Sequence, residues 1–125
     1  MIIQSPPETS NYILNEFLRD LYEKIKLVPS FRVVQTAADY SVERNDYYIG
    51  VTNTAAPRTI SLPALASIPE HFQLIVKDES GGAGVNNITL DPSGTEQIEG
   101  SLTQVISSNY GVLRLRRNET QWLLW

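Results

Sequence analysis

The side chains that most often perform catalysis are few and far apart in this sequence. Histidine occurs once, at position 71, and cysteine does not occur. A nucleophile needs a neighbouring base, and no serine here stands in the GxSxG pattern that marks a nucleophile between a strand and a helix. We therefore expect His71 to be a surface or packing residue. The sequence predicts no catalytic residues and a protein that is not an enzyme.

Three carboxylates near turn residues raise the question of a metal site. Asp78 and Glu79 precede the glycine-rich GGAG, and Asp91 opens the sequence DPSG. The first stretch lacks the acidic spacing of a calcium loop, and proline after a leading aspartate is ordinary turn chemistry. GGAG lacks the lysine of a phosphate-binding loop, so we attribute its glycines to positive φ angles in a wide turn. We predict no metal and no cofactor.

Two further groups of side chains are suited to binding. Arg114, Arg116 and Arg117 form a basic cluster, and strand alternation would place at least two of them on a solvated face. There they either aid solubility or contact an acidic partner. The aromatic side chains of the β-type segments either pack in a core or interface or form a platform for a glycan. They are Tyr47, Tyr48, Tyr110, Trp122 and Trp125.

Length, charge and composition limit the classes of function. The chain has 125 residues, 42% of them hydrophobic, and a formal net charge of −4. This length suits one domain with a modest core, or one domain with an appendage. The negative charge argues against nucleic acid and anionic membranes as partners. No apolar run approaches the roughly 18 residues of a membrane span, and MIIQSPP is too short and uncharged for a signal peptide.

The pattern before Pro29 predicts one α-helix within residues 6–27. Apolar residues recur there at intervals of three and four, and some of them follow the 4-3-4 spacing of a coiled-coil seam. This stripe either packs on the chain's own β domain, associates with the stripe of another copy, or inserts into a partner's groove. The residues predicted to form an oligomer contact are Leu14, Phe17, Leu18, Leu21 and Ile25.

From Pro29 onward the sequence alternates apolar and polar residues in short runs that end in turn signatures. About eight such runs, spaced by roughly 8–12 residues, are typical of a sandwich or barrel. Within DYYIGVT we expect Tyr47, Ile49 and Val51 to share one face, and within TEQIEG we expect a strand that buries Ile98. DESGGAGVNN should be an exposed, flexible loop, and residues 63–70 a connection with one helical turn.

The predicted fold is therefore mainly β: a small antiparallel β-sandwich or barrel-like domain preceded by one N-terminal α-helix. The boundary near Pro29 divides the chain in two. Residues 1–29 form an arm and helix for oligomerisation and attachment, and residues 30–125 form the β domain. The two indoles of QWLLW should cover the end of a sheet.

The order of these elements resembles a β module at the ends of phage fibre, baseplate and virion-surface proteins. The resemblance rests on DYYIGVTNTAAPRTISLP, on FQLIVKDESGGAGVNNITLDPSGTEQIEG and on the closing QWLLW, and it spans residues 38–125. It implies a viral structural protein located in the virion, commonly a homotrimer with a β head and a helical or extended N-terminal part. No binding residues carry over, since the module has no fixed site motif.

Fibre versions of the module usually end long chains, whereas this sequence starts at Met1 and the module stands almost alone. That difference favours a capsid decoration (cement) protein or short head spike of a bacteriophage. Its expected partners are other copies of itself and the major capsid protein or another virion protein. The alternative is a tail-fibre or baseplate module that binds a host receptor or glycan. The residues predicted to contact the capsid lattice are Ile2, Ile3, Tyr12, Asn53 and Arg58.

Overall fold

The computed structural model describes residues 14–21 and 31–125. Residues 14–21 are α-helical and are called α1 here. The strands are β1 (Arg32–Thr36), β2 (Tyr40–Ser41), β3 (Asp46–Val51), β4 (Arg58–Ser61), β5 (Gln73–Asp78), β6 (Ile88–Asp91), β7 (Gln104–Ile106), β8 (Val112–Arg117) and β9 (Trp122–Leu124). A single 3-10 turn, Leu65–Ser67, lies in the connection where one helical turn was predicted. The mainly β fold with one N-terminal helix is confirmed.

The strands form two sheets, and from β1 to β6 each strand lies in the sheet opposite to its predecessor. The five-stranded sheet has the order β1-β3-β5-β8-β9, and the four-stranded sheet has the order β2-β4-β6-β7. The chain therefore winds around the core, and each turn of the winding adds one strand to each sheet. The result is a sandwich-like domain, as predicted.

The strand directions differ from the prediction of an antiparallel domain. Strands β1, β3 and β5 pair in parallel, and so do β2, β4 and β6. The antiparallel pairs are β5 with β8, β6 with β7, and β8 with β9. Both sheets are therefore mixed. Alternation of apolar and polar residues records which face of a strand is buried, whereas direction depends on how the connections run, so the pattern alone did not distinguish the two.

The hydrophobic core lies between the two sheets. Ile49, Leu74 and Leu115 from the five-stranded sheet and Ile60 and Leu90 from the four-stranded sheet are fully buried. Because apolar surface gains about 25 cal/mol for each Å² removed from water, these inward-facing residues supply the main stabilisation.

The two indoles at the end of the chain have different environments. Trp122 is fully buried and makes an edge-to-face contact with Phe72, with ring centroids 5.8 Å apart. Trp125 is 61% exposed. The two indoles therefore do not cover the end of a sheet together, as was expected, because Trp122 is part of the core and Trp125 lies outside the core.

A register shift separates Tyr47 from the residues with which it was expected to share a face. The pairing of β1 with β3 shifts between Arg32 and Val33, so that Tyr47 has no partner on β1. Beyond this bulge Ile49 and Val51 are fully buried, but Tyr47 is only half-buried and packs edge-to-face on Phe31 at 5.2 Å. A bulge shifts the alternation of faces by one residue, which accounts for the difference.

The run around Ile98 is not a strand. Ile98 makes isolated bridges to Ser101 and to Trp122. Glu99 and Gly100, which lie between Ile98 and Ser101, both have positive φ angles and form a turn. Ile98 is nevertheless fully buried, as expected from its place in the pattern.

Among the described residues, no helix is long and apolar enough to cross a membrane.

Candidate functional site

The apolar stripe of α1 is exposed on the surface of the chain. Leu14, Phe17, Leu18 and Leu21 lie three and four residues apart, which places them on one side of the helix. Their exposed fractions range from 44% to 63%, so the described part of the β domain leaves them uncovered. Ile25, the fifth residue predicted for this contact, lies outside the described residues.

Local interactions within α1 contribute little to its stability. Arg19 and Glu16 form an ion pair of 3.7 Å, but both side chains are well exposed, and such pairs contribute less than about 1 kcal/mol. Short isolated helices are marginal in water, and most helices in proteins are stabilised by packing of their apolar face. The exposed stripe is therefore suited to a contact with another protein surface.

Two of the five residues predicted for lattice contact lie in the described chain. The Arg58 guanidinium donates to the Asn53 carbonyl at 2.8 Å and to the Asn53 side-chain oxygen at 3.0 Å. The same oxygen accepts the Ala55 N–H at 2.8 Å. Asn53 and Arg58 therefore hold the β3–β4 loop in shape, and their role in lattice contact stays a prediction. Ile2, Ile3 and Tyr12 lie outside the described residues.

The basic cluster divides into two parts. Arg114 and Arg116 are exposed on the outer face of the five-stranded sheet, as predicted, and the Arg114 guanidinium lies 5.9 Å from the centre of the Trp125 ring. Arg117 instead lies on the inward side of β8 at its end, where its guanidinium donates to the backbone carbonyls of Leu65 and Ile68. Arg117 therefore holds the 3-10 turn against the sheet, and two arginines remain available to a partner.

The glycine-rich loop after β5 is organised around a buried carboxylate, while Gly84, Val85 and Asn87 in it are exposed as predicted. Asp78 and Ala83 are fully buried. One oxygen of Asp78 accepts the Ser80 N–H at 3.0 Å, the Ser80 hydroxyl at 2.7 Å and the Gly81 N–H at 3.0 Å. The other accepts the Ala83 N–H at 2.9 Å and the Tyr110 N–H at 3.0 Å. The carboxylate therefore joins this loop to the turn before β8.

The environment of Asp78 keeps it ionised. Burial by itself would raise its pKa, but the hydrogen bonds from the Ser80 hydroxyl and from three backbone N–H groups outweigh burial and lower the pKa to about 2. Its acceptor capacity is taken up by protein donors, so it is suited to anchoring loops and not to binding a metal or removing a proton. Among the described residues no group of three or more His, Cys, Asp or Glu is placed to hold a metal ion.

Close packing explains more of the loop glycines than backbone conformation does. Gly81 has a φ of 82°. Gly82 and Gly84 do not belong to the described glycines with positive φ, so that expectation is wrong for both. A Cβ on Gly82 would lie 2.2 Å from the Thr54 hydroxyl oxygen, and one on Gly84 would lie 2.8 Å from the side-chain oxygen of Asn109. These glycines let the loop approach its neighbours.

A second polar cluster, which the sequence did not reveal, joins the first strands. Asp46 is almost fully buried, and one of its oxygens accepts from the Arg32 guanidinium at 2.7 Å. Its other oxygen accepts from the Tyr40 hydroxyl at 2.7 Å and from the Glu43 N–H at 2.8 Å. These residues are ordinary in type and spaced by the winding of the chain, so only the fold brings them together. His71, as expected, is exposed.

The low pKa of Asp78 predicts how stability depends on pH. Because the folded-state pKa of about 2 lies below the ordinary value of 3.8, the ionised carboxylate stabilises the fold above about pH 5, and this contribution of roughly 2 kcal/mol is lost as the pH falls toward 2. Urea unfolding at a series of pH values should show this loss in the wild type and not in Asp78→Asn. Parallel pH curves for the two proteins would contradict it.

No protein-family model and no curated protein matches this chain.

Proposed function

We propose that this chain is a non-enzymatic structural protein of a bacteriophage particle, which assembles as a homotrimer and decorates or cements the capsid surface or forms a short spike on it. The observation that carries the proposal is the exposed apolar stripe of α1. Burying that stripe between copies removes its side chains from water, and the seam-like spacing of the stripe suits a helical bundle. The number three comes from the resemblance to virion-surface modules.

The β domain has the properties that a protein acting by contact needs. Three of its loops are anchored by buried or half-buried polar groups, namely Asp78, Arg117 and Asp46. A head of fixed shape repeated over a lattice binds through many weak contacts, which together give high avidity. In this proposal residues 1–12 and the loop from Asn53 to Arg58 contact the lattice.

One specific feature favours the alternative of a tail-fibre or baseplate module that binds a host receptor or glycan. A pocket of about 330 Å³ opens at the edge of the five-stranded sheet and is lined by Phe31, Tyr47 and Gln73. Two aromatic rings beside an amide are chemically suited to a sugar, since a ring offers a stacking surface and the amide offers both a donor and an acceptor. This is the second candidate function.

Deleting residues 1–10 should abolish binding to capsids while leaving the β domain folded. The deleted segment contains Ile2 and Ile3, and it precedes every residue of the described β domain. The measurement is cosedimentation of purified protein with capsids that lack it, with circular dichroism as the control for folding. Undiminished binding of the truncated protein would show that attachment lies elsewhere. A particle reconstruction that locates the chain at a tail tip would establish the alternative.

A further inference from the structure

The outward faces of the two sheets have opposite characters. The residues that point away from the core on the five-stranded sheet include a set of partly or largely exposed apolar and aromatic side chains. They are Val33, Tyr48, Ile75, Val112, Leu123 and Trp125. The corresponding positions of the four-stranded sheet are occupied mainly by small polar residues. They are Ser41, Thr59, Ser61, Thr89, Asp91 and Val105. The outer face of the five-stranded sheet also carries Gln35, Gln73, Lys77, Arg114 and Arg116, so it combines apolar and charged side chains, whereas the second set is typical of a face in water.

A row of outward side chains crosses the five-stranded sheet, apolar or aromatic on β1, β3 and β5 and continued by Arg114 and Trp125. Val33 pairs with Tyr48, Tyr48 with Ile75, and Ile75 with Arg114. Trp125 extends the row, because its N–H donates to the Arg114 carbonyl at 3.1 Å and its ring lies beside the Arg114 guanidinium. With strands about 4.8 Å apart, the row is about 19 Å long. Exposed aromatic and aliphatic side chains beside arginines are a composition that suits contact with another protein.

The charges on this face are complementary to one another. Arg114 and Arg116 on β8 make one side of the face positive. On the other side Glu79 lies over Gly50, where it accepts the Tyr48 hydroxyl at 2.5 Å and the Gln35 amide at 2.9 Å. In a closed ring of three copies, the glutamate side of one face can therefore lie against the arginine side of the next. The face is suited to this contact with copies of itself, because one surface carries both members of the pair.

The area of the face indicates that it is one part of a larger contact. Five strands of about five residues cover roughly 400 Å² in the plane of the sheet. A stable interface usually buries about 800 Å² on each partner, so the face supplies about half. Helix α1 carries the other exposed apolar surface, and the ten Cα–Cα steps from Leu21 to Phe31 span at most about 36 Å. Both surfaces can therefore belong to one interface.

We propose that the outer face of the five-stranded sheet docks against another copy of this chain and that, together with the stripe of α1, it forms the subunit interface. This inference rests on the self-association part of the proposed function and is independent of where on a particle the protein sits. The contact is apolar along the row from Val33 to Ile75. It is flanked by pairs between Glu79 of one copy and the arginines of β8 of the other.

A matched pair of lysine substitutions tests this interface. Val112 on the five-stranded sheet and Val105 on the four-stranded sheet both point outward and have similar exposed fractions, 44% and 40%. A lysine at position 112 would lie across from Lys77 and beside Arg114, so it would lose hydration in the interface among like charges, whereas one at position 105 would stay in water. Sedimentation equilibrium should show that Val112→Lys weakens assembly at least about ten-fold. Val105→Lys should assemble like the wild type.

Three results would overturn the inference, and they separate it from the proposed function. A trimeric wild type with equal assembly of Val112→Lys and Val105→Lys would leave the trimer standing but remove this face from it. Weaker assembly of Val105→Lys alone would assign the contact to the other sheet. A monomeric wild type would overturn both proposals. A cooperative thermal transition in each variant serves as the control for folding. If Val112→Lys does not fold, Val33→Lys, at the opposite side of the same face, repeats the test.

Discussion

Replacing Asp78 by alanine should lower the free energy of unfolding by about 3 to 5 kcal/mol. The carboxylate is fully buried and accepts five hydrogen bonds, so its removal leaves several backbone N–H groups without a partner in the interior. It also disconnects the loop after β5 from the turn before β8. The measurement is equilibrium unfolding in urea, followed by circular dichroism.

The isosteric variant and a surface control make this result specific. Asp78→Asn keeps the shape but turns an amide nitrogen toward N–H donors, so it should lose about 2 to 4 kcal/mol. Asp91→Ala, which removes an exposed carboxylate at the end of β6, should change stability by less than about 0.5 kcal/mol. Equal stability of all three variants would mean that the loops do not depend on the carboxylate.

Changing both Leu18 and Leu21 to aspartate should reduce the proposed trimer to monomers at micromolar concentration. The two side chains lie in the exposed stripe of α1, and in an assembled bundle each new carboxylate would be buried without a partner. The loss should exceed that of Val112→Lys, since two charges are introduced into the helical part of the interface. Static light scattering measures the mass directly.

A control on the same helix separates charge from position. Asn15→Asp adds a carboxylate outside the stripe and should leave the trimer intact. The β domain of the double variant should keep its thermal transition, because the described β domain does not cover these leucines. A wild type with a monomer mass, or a double variant that remains trimeric, would contradict the assignment of the stripe to self-association.

Most strands were predictable from the sequence, but their arrangement was not. Alternating segments such as RTISLP and GVLRLRR correspond to β4 and β8 because each has one face in the core. The two-residue β2 is too short to show a period, and the parallel pairing of the first six strands leaves no trace in alternation. Local pattern specifies a strand's faces, whereas direction follows from connections that cross between sheets.

The candidate surfaces were predictable to different degrees. The stripe of α1 follows from the spacing of Leu14, Phe17, Leu18 and Leu21 alone. The anchoring of Asp78 was missed because one of its donors, the Tyr110 N–H, lies far along the chain and because glycine was taken as a sign of flexibility. The small residues after an aspartate are a usable signal, since they let successive N–H groups turn toward one carboxylate. The contrast between the two outer faces required the register of both sheets.

The order of the five-stranded sheet also determines where added polypeptide would leave the protein. Strand β1, which follows α1 in the chain, lies at one edge of this sheet, and β9 lies at the other, about 19 Å away. A peptide joined to Trp125 would therefore emerge at the β9 edge of the sheet, opposite to the β1 edge that follows α1 in the chain. With the proposed attachment through residues 1–12, an antigen or enzyme fused to Trp125 would lie across the sheet from the capsid contact.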